Sequence, residues 1–422
     1  MIRDPSLVCD YFRSFSLPGQ DGQTTLIPKG KTVCDNVHVM GVNYPRYTNE
    51  FWTARQRQAS KIQEISYRAC FKPQLPRFFI TLLTEPGDIV YDPFSGRGTT
   101  PVEAALLGRR IIANDINPLS RILAEPRLNP PELEEVKTRL YSVSDLPSVT
   151  CDIDLSMFYH PETLRTICSL RKYLTSRVED NTADMTDRWI RMVATNRLSG
   201  HSPGFFSVYT LPPNQAVSPD RQIIINRDRN QQPPYRDVRE IILKKSRLLI
   251  RGIEPNQMEQ LKEAGQSALF LTQDARYTPQ IPDNWVTLTV TSPPFLDIVQ
   301  YASDNWLRCW FNDLNAEDIG KNITMTRKLA DWEAVMQDTF KELYRITKPG
   351  GYVAFEVGEV RNGSVRLDEH VIPLGISSGF SCVAIIINQQ DFTKTANIWG
   401  VNNMKGGTNS NRIVLFHKKT DN

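Results

Sequence analysis

Between Asp88 and Asp115 the chain passes through a short apolar run, a loop with two glycines, a helix-forming stretch and a second apolar run that ends on an acid. Few folds accept that order. DIVYD at 88–92 reads as a buried strand, TTPVEAALLG as a helix closed by Gly108, and RRIIANDIN as a second strand ending at Asp115. In this register Gly96 and Gly98 let the backbone turn sharply beside a ligand, and the helix starting near Thr99 aims its N–H groups at the same point. Strand, glycine loop, helix and acid-tipped strand predict a doubly wound α/β sheet that binds its ligand at the carboxyl ends of the strands. Two nucleotide loops are excluded by single residues. Pro101 stands where a dinucleotide fingerprint needs its third glycine, and Thr25 stands where a Walker loop ending in Gly30-Lys31-Thr32 needs its first.

The remaining apolar runs extend the sheet. KPQLPRFFITLL, upstream of the first strand, has the spacing of a short amphipathic helix. Further strands are predicted at 267–274, 285–292 and over YVAFEV, with a helix from Asp331 to Ile346 stopped by Lys348-Pro349-Gly350-Gly351. FSCVAIIIN at 380–388 and RIVLFHK at 412–418 are predicted to close the sheet as an antiparallel hairpin. Residues 1–60 show no clear pattern. One α/β domain therefore takes residues 61–125 and 266–422, and 126–265 interrupt it with helical stretches and a polar, Pro-rich segment from Gly200 to Tyr235.

Composition narrows the class. With 40% hydrophobic and 23% charged residues, the chain matches neither a disordered nor a disulfide-scaffold protein. No apolar run reaches the roughly 20 residues needed to cross a bilayer, and charge interrupts MIRDPSLVCDYFRSFS too often for a secretion signal. The seven cysteines show no CxxC pair and the five histidines no ligand spacing, so isolated thiols, a reducing cytoplasmic compartment and no metal are expected. Net charge is +3 for the whole chain, but residues 171–251 hold 15 basic and 8 acidic residues. That excess suits either a polyanion-binding face or a solvated basic surface.

A second constellation, Thr291-Ser292-Pro293-Pro294-Phe295, falls at the end of the fourth predicted strand, which should lie beside the first. Adjacent prolines make a rigid, extended turn with free carbonyls. DPFSGRGTT followed by IIANDINP resembles motifs I and II of the S-adenosylmethionine-dependent amino-methyltransferases of DNA, and TSPPF resembles their motif IV, (D/N/S)PP(Y/F/W). FKPQLPRFF is similar to their motif X. The resemblance covers roughly 70–125 and 267–418.

It implies a Rossmann-like class I methyltransferase sheet with an inserted target-recognition region. For the cofactor, S-adenosylmethionine, it implies a methionine pocket from Phe71, Pro73, Asp92, Phe94, Gly96, Gly98 and Thr99. Asp115 and Ile116 are placed at the ribose, and Asp274 and Ala275 at the adenine ring. In the catalytic loop the Pro293 carbonyl and the Ser292 hydroxyl engage the target amine, Pro294 stiffens the turn and Phe295 stacks on the extruded base. Tyr301 and Trp306, in the segment after the loop, are read as either base-pocket or core aromatics.

Serine at the first loop position favours N4 of cytosine in double-stranded DNA. N6 of adenine in DNA, N2 of guanine in RNA, and a binding protein with an inactive pocket are the alternatives. A cognate restriction endonuclease is a further expected partner. The motif order X, I, II, III, IV puts the interruption where the target-recognition region belongs, although many enzymes of the Ser type place motif IV first. Within it Arg197, His201, Arg221, Arg227 and Arg229 are the candidates for nucleic-acid contact. Lys405 to Asn411, before the last strand, suits either a pocket cap, a phosphate contact or a plain hairpin loop.

Overall fold

Strands buried on both faces need apolar side chains at successive positions, and the predicted runs supply them. The computed structural model describes residues 2–16, 31–53, 59–68, 70–146, 151–210, 216–294, 301–323, 326, 328–360, 365–389 and 410–420, with backbone only at 301, 359, 360 and 410. Its strands are β1 (Val33–Val39), β2 (Val42–Asn49), β3 (Ile89–Asp92), β4 (Arg110–Asn114), β5 (Leu269–Leu271), β6 (Val286–Thr291), β7 (Thr347–Val357), β8 (Glu359–Val360), β9 (Val365–Arg366), β10 (Ser381–Gln389) and β11 (Ser410–His417). All except the β8–β9 pair join one sheet in the order β1-β2-β10-β11-β7-β6-β3-β4-β5.

From β5 to β7 neighbouring strands are parallel, and β11 runs antiparallel to both β7 and β10. Five parallel strands with the order reversing at β3–β6, closed by an antiparallel hairpin, form the Rossmann-like class I methyltransferase sheet. β6 does lie beside β3, and 380–388 does pair with 412–418.

The helices cover both faces. They are α1 (Pro5–Ser14), α2 (Gln74–Leu83), α3 (Thr99–Leu106), α4 (Leu119–Ala124), α5 (Leu133–Ser142), α6 (Pro161–Glu179), α7 (Met185–Arg197), α8 (Pro219–Asp228), α9 (Val238–Ile250), α10 (Pro255–Ser267), α11 (Tyr301–Phe311), α12 (Ala316–Asn322), α13 (Leu329–Ile346) and α14 (Leu367–Ser377). Alternation in β3 divides the core: Val90 packs with α2, α3 and the helices of the interruption, while Ile89 and Tyr91 pack with α13 and α14. Trp189 of α7, Ile242 of α9 and Val136 of α5 belong to the same buried cluster as Leu288 of the sheet, so the inserted helices share its core.

Three expectations need correction. Residues 1–60, without pattern in the sequence, contain α1 and the β1–β2 hairpin, and β2 adds to the sheet in parallel beside β10. Only Leu269–Leu271 of the run at 267–274 is strand, because the chain leaves the sheet edge at once to reach the ligand side. The thiols are not all isolated: Cys151 and Cys168, with Cα atoms 6.1 Å apart, form a disulfide. The pairing arises where the chain before α6 folds back on that helix, a contact that cysteine spacing does not encode. No helix of the described residues is long and apolar enough to cross a membrane.

Candidate active site

Four strand ends meet at the carboxyl edge of the sheet, and buried polar groups lock them together. The Asn114 amide donates to the carbonyls of Pro93 and Gln273 and accepts the Gln273 N–H, tying the ends of β3, β4 and β5. Thr100 Oγ1 donates to the Val290 carbonyl at 3.1 Å, and Thr291 Oγ1 donates to Asp92 Oδ1 at 2.6 Å. The glycine loop and the strand carrying Ser292 are therefore fixed to each other.

The loop after β3 turns through Gly96 (φ 52°) and Gly98 (φ 80°). A Cβ on Gly98 would lie 2.4 Å from the Ala124 Cβ, so glycine is needed there for close packing on α4. Fully buried Arg127 supports the loop from behind, donating to the carbonyls of Leu123 and Arg97. In front, the Asp115 carboxylate accepts the Gly96 N–H at 2.8 Å and the Asn117 N–H at 2.9 Å. Burial pushes the Asp115 carboxyl up to about 6 and that of Asp92 up to about 7, the hydrogen bonds they accept opposing the shift.

These loops enclose a cleft of about 1050 Å³. Of the predicted cofactor residues, Phe71, Phe94, Gly96 and Thr99 line it, as do Asp115, Ile116, Asp274 and Ala275. Pro73, Asp92 and Gly98 do not. Pro73 precedes α2, Asp92 holds Thr291 from inside the protein, and Gly98 faces α4. Asp274 is engaged by Arg276 at 2.5 Å, which leaves Ala275 to offer an apolar surface.

Ser292, Pro293 and Pro294 line the same cleft. The Pro294 carbonyl accepts the Trp332 indole N–H at 3.0 Å, so α13 braces the loop. Phe295, Tyr301's side chain and residues 405–409 lie outside the described residues. Trp306 packs 6.0 Å from Phe158 and donates to the Val217 carbonyl, in keeping with a core aromatic.

Several contributors escaped sequence reading, Tyr67, Met336 and Glu356 among them. Tyr67 lines the cleft from a segment without a motif. Met336 enters from α13, where it sits in the middle of an ordinary amphipathic helix. Glu356, buried on β7, hydrogen-bonds to Ser292 and accepts from Asn411 Nδ2 at 2.6 Å, while burial raises its pKa. A lone acid in an apolar strand run, YVAFEV, was the available signal for it.

The cleft fits an adenosyl sulfonium. Asp115 offers acceptors for a ribose diol, Phe94, Ile116 and Ala275 offer apolar surface for a flat ring, and buried Ser95 Oγ has no hydrogen-bond partner among the described residues. The predicted nucleic-acid residues do not gather here. Arg197 bonds to Asn196 and stacks 4.0 Å from the Phe205 ring, and His201 lies 6.1 Å from the same ring. Arg221 opens α8, Arg227 pairs with Asp228 at 3.5 Å, and Arg229 lies over Tyr209 at 3.8 Å.

Residues 25–123 match the family model of the DNA methylases. The type II methyltransferase M.MjaII of Methanocaldococcus jannaschii is 37% identical over 71 residues, 17% of this chain and 13% of that protein. M.BsoBI of Geobacillus stearothermophilus is 35% identical over 97 residues, 21% and 19% of the two chains. The matched segments thus span less than a fifth of these relatives. Among solved structures, the rRNA methyltransferase aviRa of Streptomyces viridochromogenes is 10% identical over 87% of this chain and 96% of its own, with a TM-score of 0.35. The methylase match falls on the glycine loop and Asp115, in a sheet of the class I methyltransferase order, so this segment of the chain is similar to the DNA methylases.

Proposed function

We propose that the protein is a DNA methyltransferase that uses S-adenosylmethionine to methylate the exocyclic N4 of cytosine, flipped from duplex DNA within a short recognition sequence, as the modification arm of a restriction–modification pair. The observation that carries this reading is the position of Ser292. It lines the cleft that Gly96 and Asp115 also line, and its side chain is hydrogen-bonded to buried Glu356.

Bound in the cleft, S-adenosylmethionine supplies a methyl group already activated on a sulfonium. The protein's part is to place the nucleophile and receive its proton. A conjugated amine is a weak nucleophile until its hydrogens are drawn out of the ring plane. The Ser292 hydroxyl, donating to Glu356, turns its oxygen lone pairs toward one amine N–H, and the Pro293 carbonyl takes the other. The amine nitrogen forms the new N–C bond as the methyl–sulfonium bond breaks, its electron pair staying on the departing thioether sulfur, and the nitrogen loses one proton, which passes to Ser292 as the serine proton passes to Glu356. Burial raises the affinity of Glu356 for that proton. The target base must leave the helix to reach this depth.

The test is to incubate the protein with labelled S-adenosylmethionine and mixed-sequence duplex DNA, digest to nucleosides and identify the labelled base by mass spectrometry. N4-methylcytosine is the expected product. N6-methyladenine would overturn the base assignment, and label found only in RNA would overturn the DNA substrate.

A further inference from the structure

Arginines of the inserted helices are mostly neutralised. Arg139 pairs with Asp184 at 2.7 Å, Arg177 with Asp187 at 2.9 Å, Arg188 with Glu125 at 3.0 Å and Arg239 with Asp145 at 2.8 Å. One region gathers cations that are not neutralised. Beside the candidate active site, sharing Tyr67 and Cys70 with its wall, lies a chamber of about 1330 Å³ whose cations are Lys72, Arg97, Arg197 and Lys245. Arg197 and Lys245 also line a trough of about 1420 Å³ along α9, which adds Arg236, Lys244, Arg247 and Arg251. Among the described residues none of these eight cations forms an ion pair. Their hydrogen-bond partners are neutral: Lys245 donates to the Glu64 carbonyl at 2.6 Å, and Arg97 to the Ile65 carbonyl at 2.7 Å.

The three acids along this path are already engaged. Glu64 pairs with Lys61, Glu240 accepts from the Tyr141 hydroxyl, and Asp237 caps α9. Two buried polar atoms here, Arg236 Nε and Ser60 Oγ, have no partner among the described residues. Burial, and after it the charge of Arg197, push Lys245 down to about 7. Partly buried cations without counter-charges are costly unless an anion completes them. Lys244, Arg247 and Arg251 are exposed at spacings of three and four residues, which places them on one helix face over about 10 Å, the rise of roughly three nucleotides. Tyr235, 55% exposed beside them, offers an aromatic face.

We infer that the α9 trough is the path of the DNA backbone, with phosphodiesters along Lys244, Arg247 and Arg251 and one entering the chamber between Arg97, Arg197 and Lys245. This rests on the proposed function for the identity of the polymer, but it moves the contact from α8, where the sequence placed Arg221, Arg227 and Arg229, to α9.

The experiment compares the full-length protein with a Lys244→Gln/Arg247→Gln/Arg251→Gln variant and an Arg221→Ala/Arg227→Ala/Arg229→Ala variant. Affinity for labelled duplex DNA is measured by anisotropy across a salt series, with S-adenosylmethionine affinity as the folding control. The α9 variant should bind DNA at least about tenfold more weakly, with the salt slope flattened by about 2 to 3, as expected when three phosphate contacts are lost. The α8 variant should keep both. An unchanged slope in the α9 variant, with the slope lost in the α8 variant, would overturn the trough while leaving a DNA methyltransferase intact. Binding of RNA but not DNA by the unaltered protein would overturn the occupant, and the proposed function with it.

Discussion

The carboxyl edge of the sheet and the trough along α9 are joined through the chamber between them, yet they handle charge in opposite ways. At the edge, Asp92 and Glu356 are buried and Asp115 is half-buried, and neutral donors from nearby loops and strands satisfy each of them. Along the chamber and trough, cations stand beside carbonyls, and the nearby carboxylates are engaged by other groups. A prearranged set of acceptors suits a small ligand whose shape is fixed, because the cost of orienting the groups is met by folding rather than by binding. A row of unpaired cations suits a polymer that brings its own charge and is read by many weak contacts. On the proposed function, the chain completes the cofactor half of its site internally and leaves the polymer half to its partner.

The largest effect should come from the edge. Ser292→Ala and Glu356→Gln are each expected to lower single-turnover methyl transfer by about a hundredfold or more, with cofactor affinity almost unchanged. The pH profile separates roles. In the unaltered protein the rate should fall as pH drops through the raised pKa of Glu356, because only the ionised carboxylate can accept the serine proton. Glu356→Gln should remove that limb from whatever rate remains. A variant that keeps the limb would show that the proton goes elsewhere and would separate Ser292 from Glu356.

Next in size is the cofactor side of the edge. Asp115→Ala removes the acceptor for both the Gly96 and Asn117 N–H groups as well as the proposed diol contact, so calorimetry with S-adenosylmethionine should show affinity reduced by about tenfold or more. Asp115→Asn retains one acceptor and should fall between. Equal affinities for all three proteins would mean that the edge does not recognise the ribose, and the contrast with the trough would lose its basis.

The same contrast explains what the sequence disclosed. The edge was legible because its chemistry lies in short segments: two glycines, an acid at a strand end and a serine before paired prolines are each set by local backbone geometry. Its supports were not, since Arg127, Tyr67 and Glu356 reach the loops only through tertiary packing. Asp92 and Gly98 were read as cofactor residues, but they stand behind the cleft. The trough was half legible. Charge counting found the basic segment, and the sequence reading took Arg221, Arg227 and Arg229 from its more polar stretch, where the proposed trough takes Lys244, Arg247 and Arg251. Which cations are already neutralised depends on residues such as Asp184 and Glu125, far away along the chain. Residues 1–60 were opaque for a related reason: β1 has mostly exposed residues, so it lacks the apolar alternation by which a strand announces itself.

The smallest expected effect tests whether the edge bears a cost for its buried negative charge. Asp92 accepts the Phe94 N–H and the Thr291 hydroxyl on the same oxygen, Oδ1, and an asparagine at this position keeps that acceptor while losing the charge. With its pKa raised to about 7 in the folded protein, Asp92 holds a proton more tightly there than in the unfolded chain. Its contribution to stability is therefore fully present below about pH 4 and is lost as pH rises through about 7. Asp92→Asn should match the unaltered protein in Tm near pH 4 and exceed it by a few degrees at pH 8. Parallel curves at all pH values would mean that Thr291 and Phe94 stabilise the carboxylate fully and that burial carries no penalty. If the variant is more stable at pH 8 but binds S-adenosylmethionine more weakly, the charge is retained for the cationic ligand. The edge would then resemble the trough after all, with charge left uncompensated by the protein because the bound partner completes it.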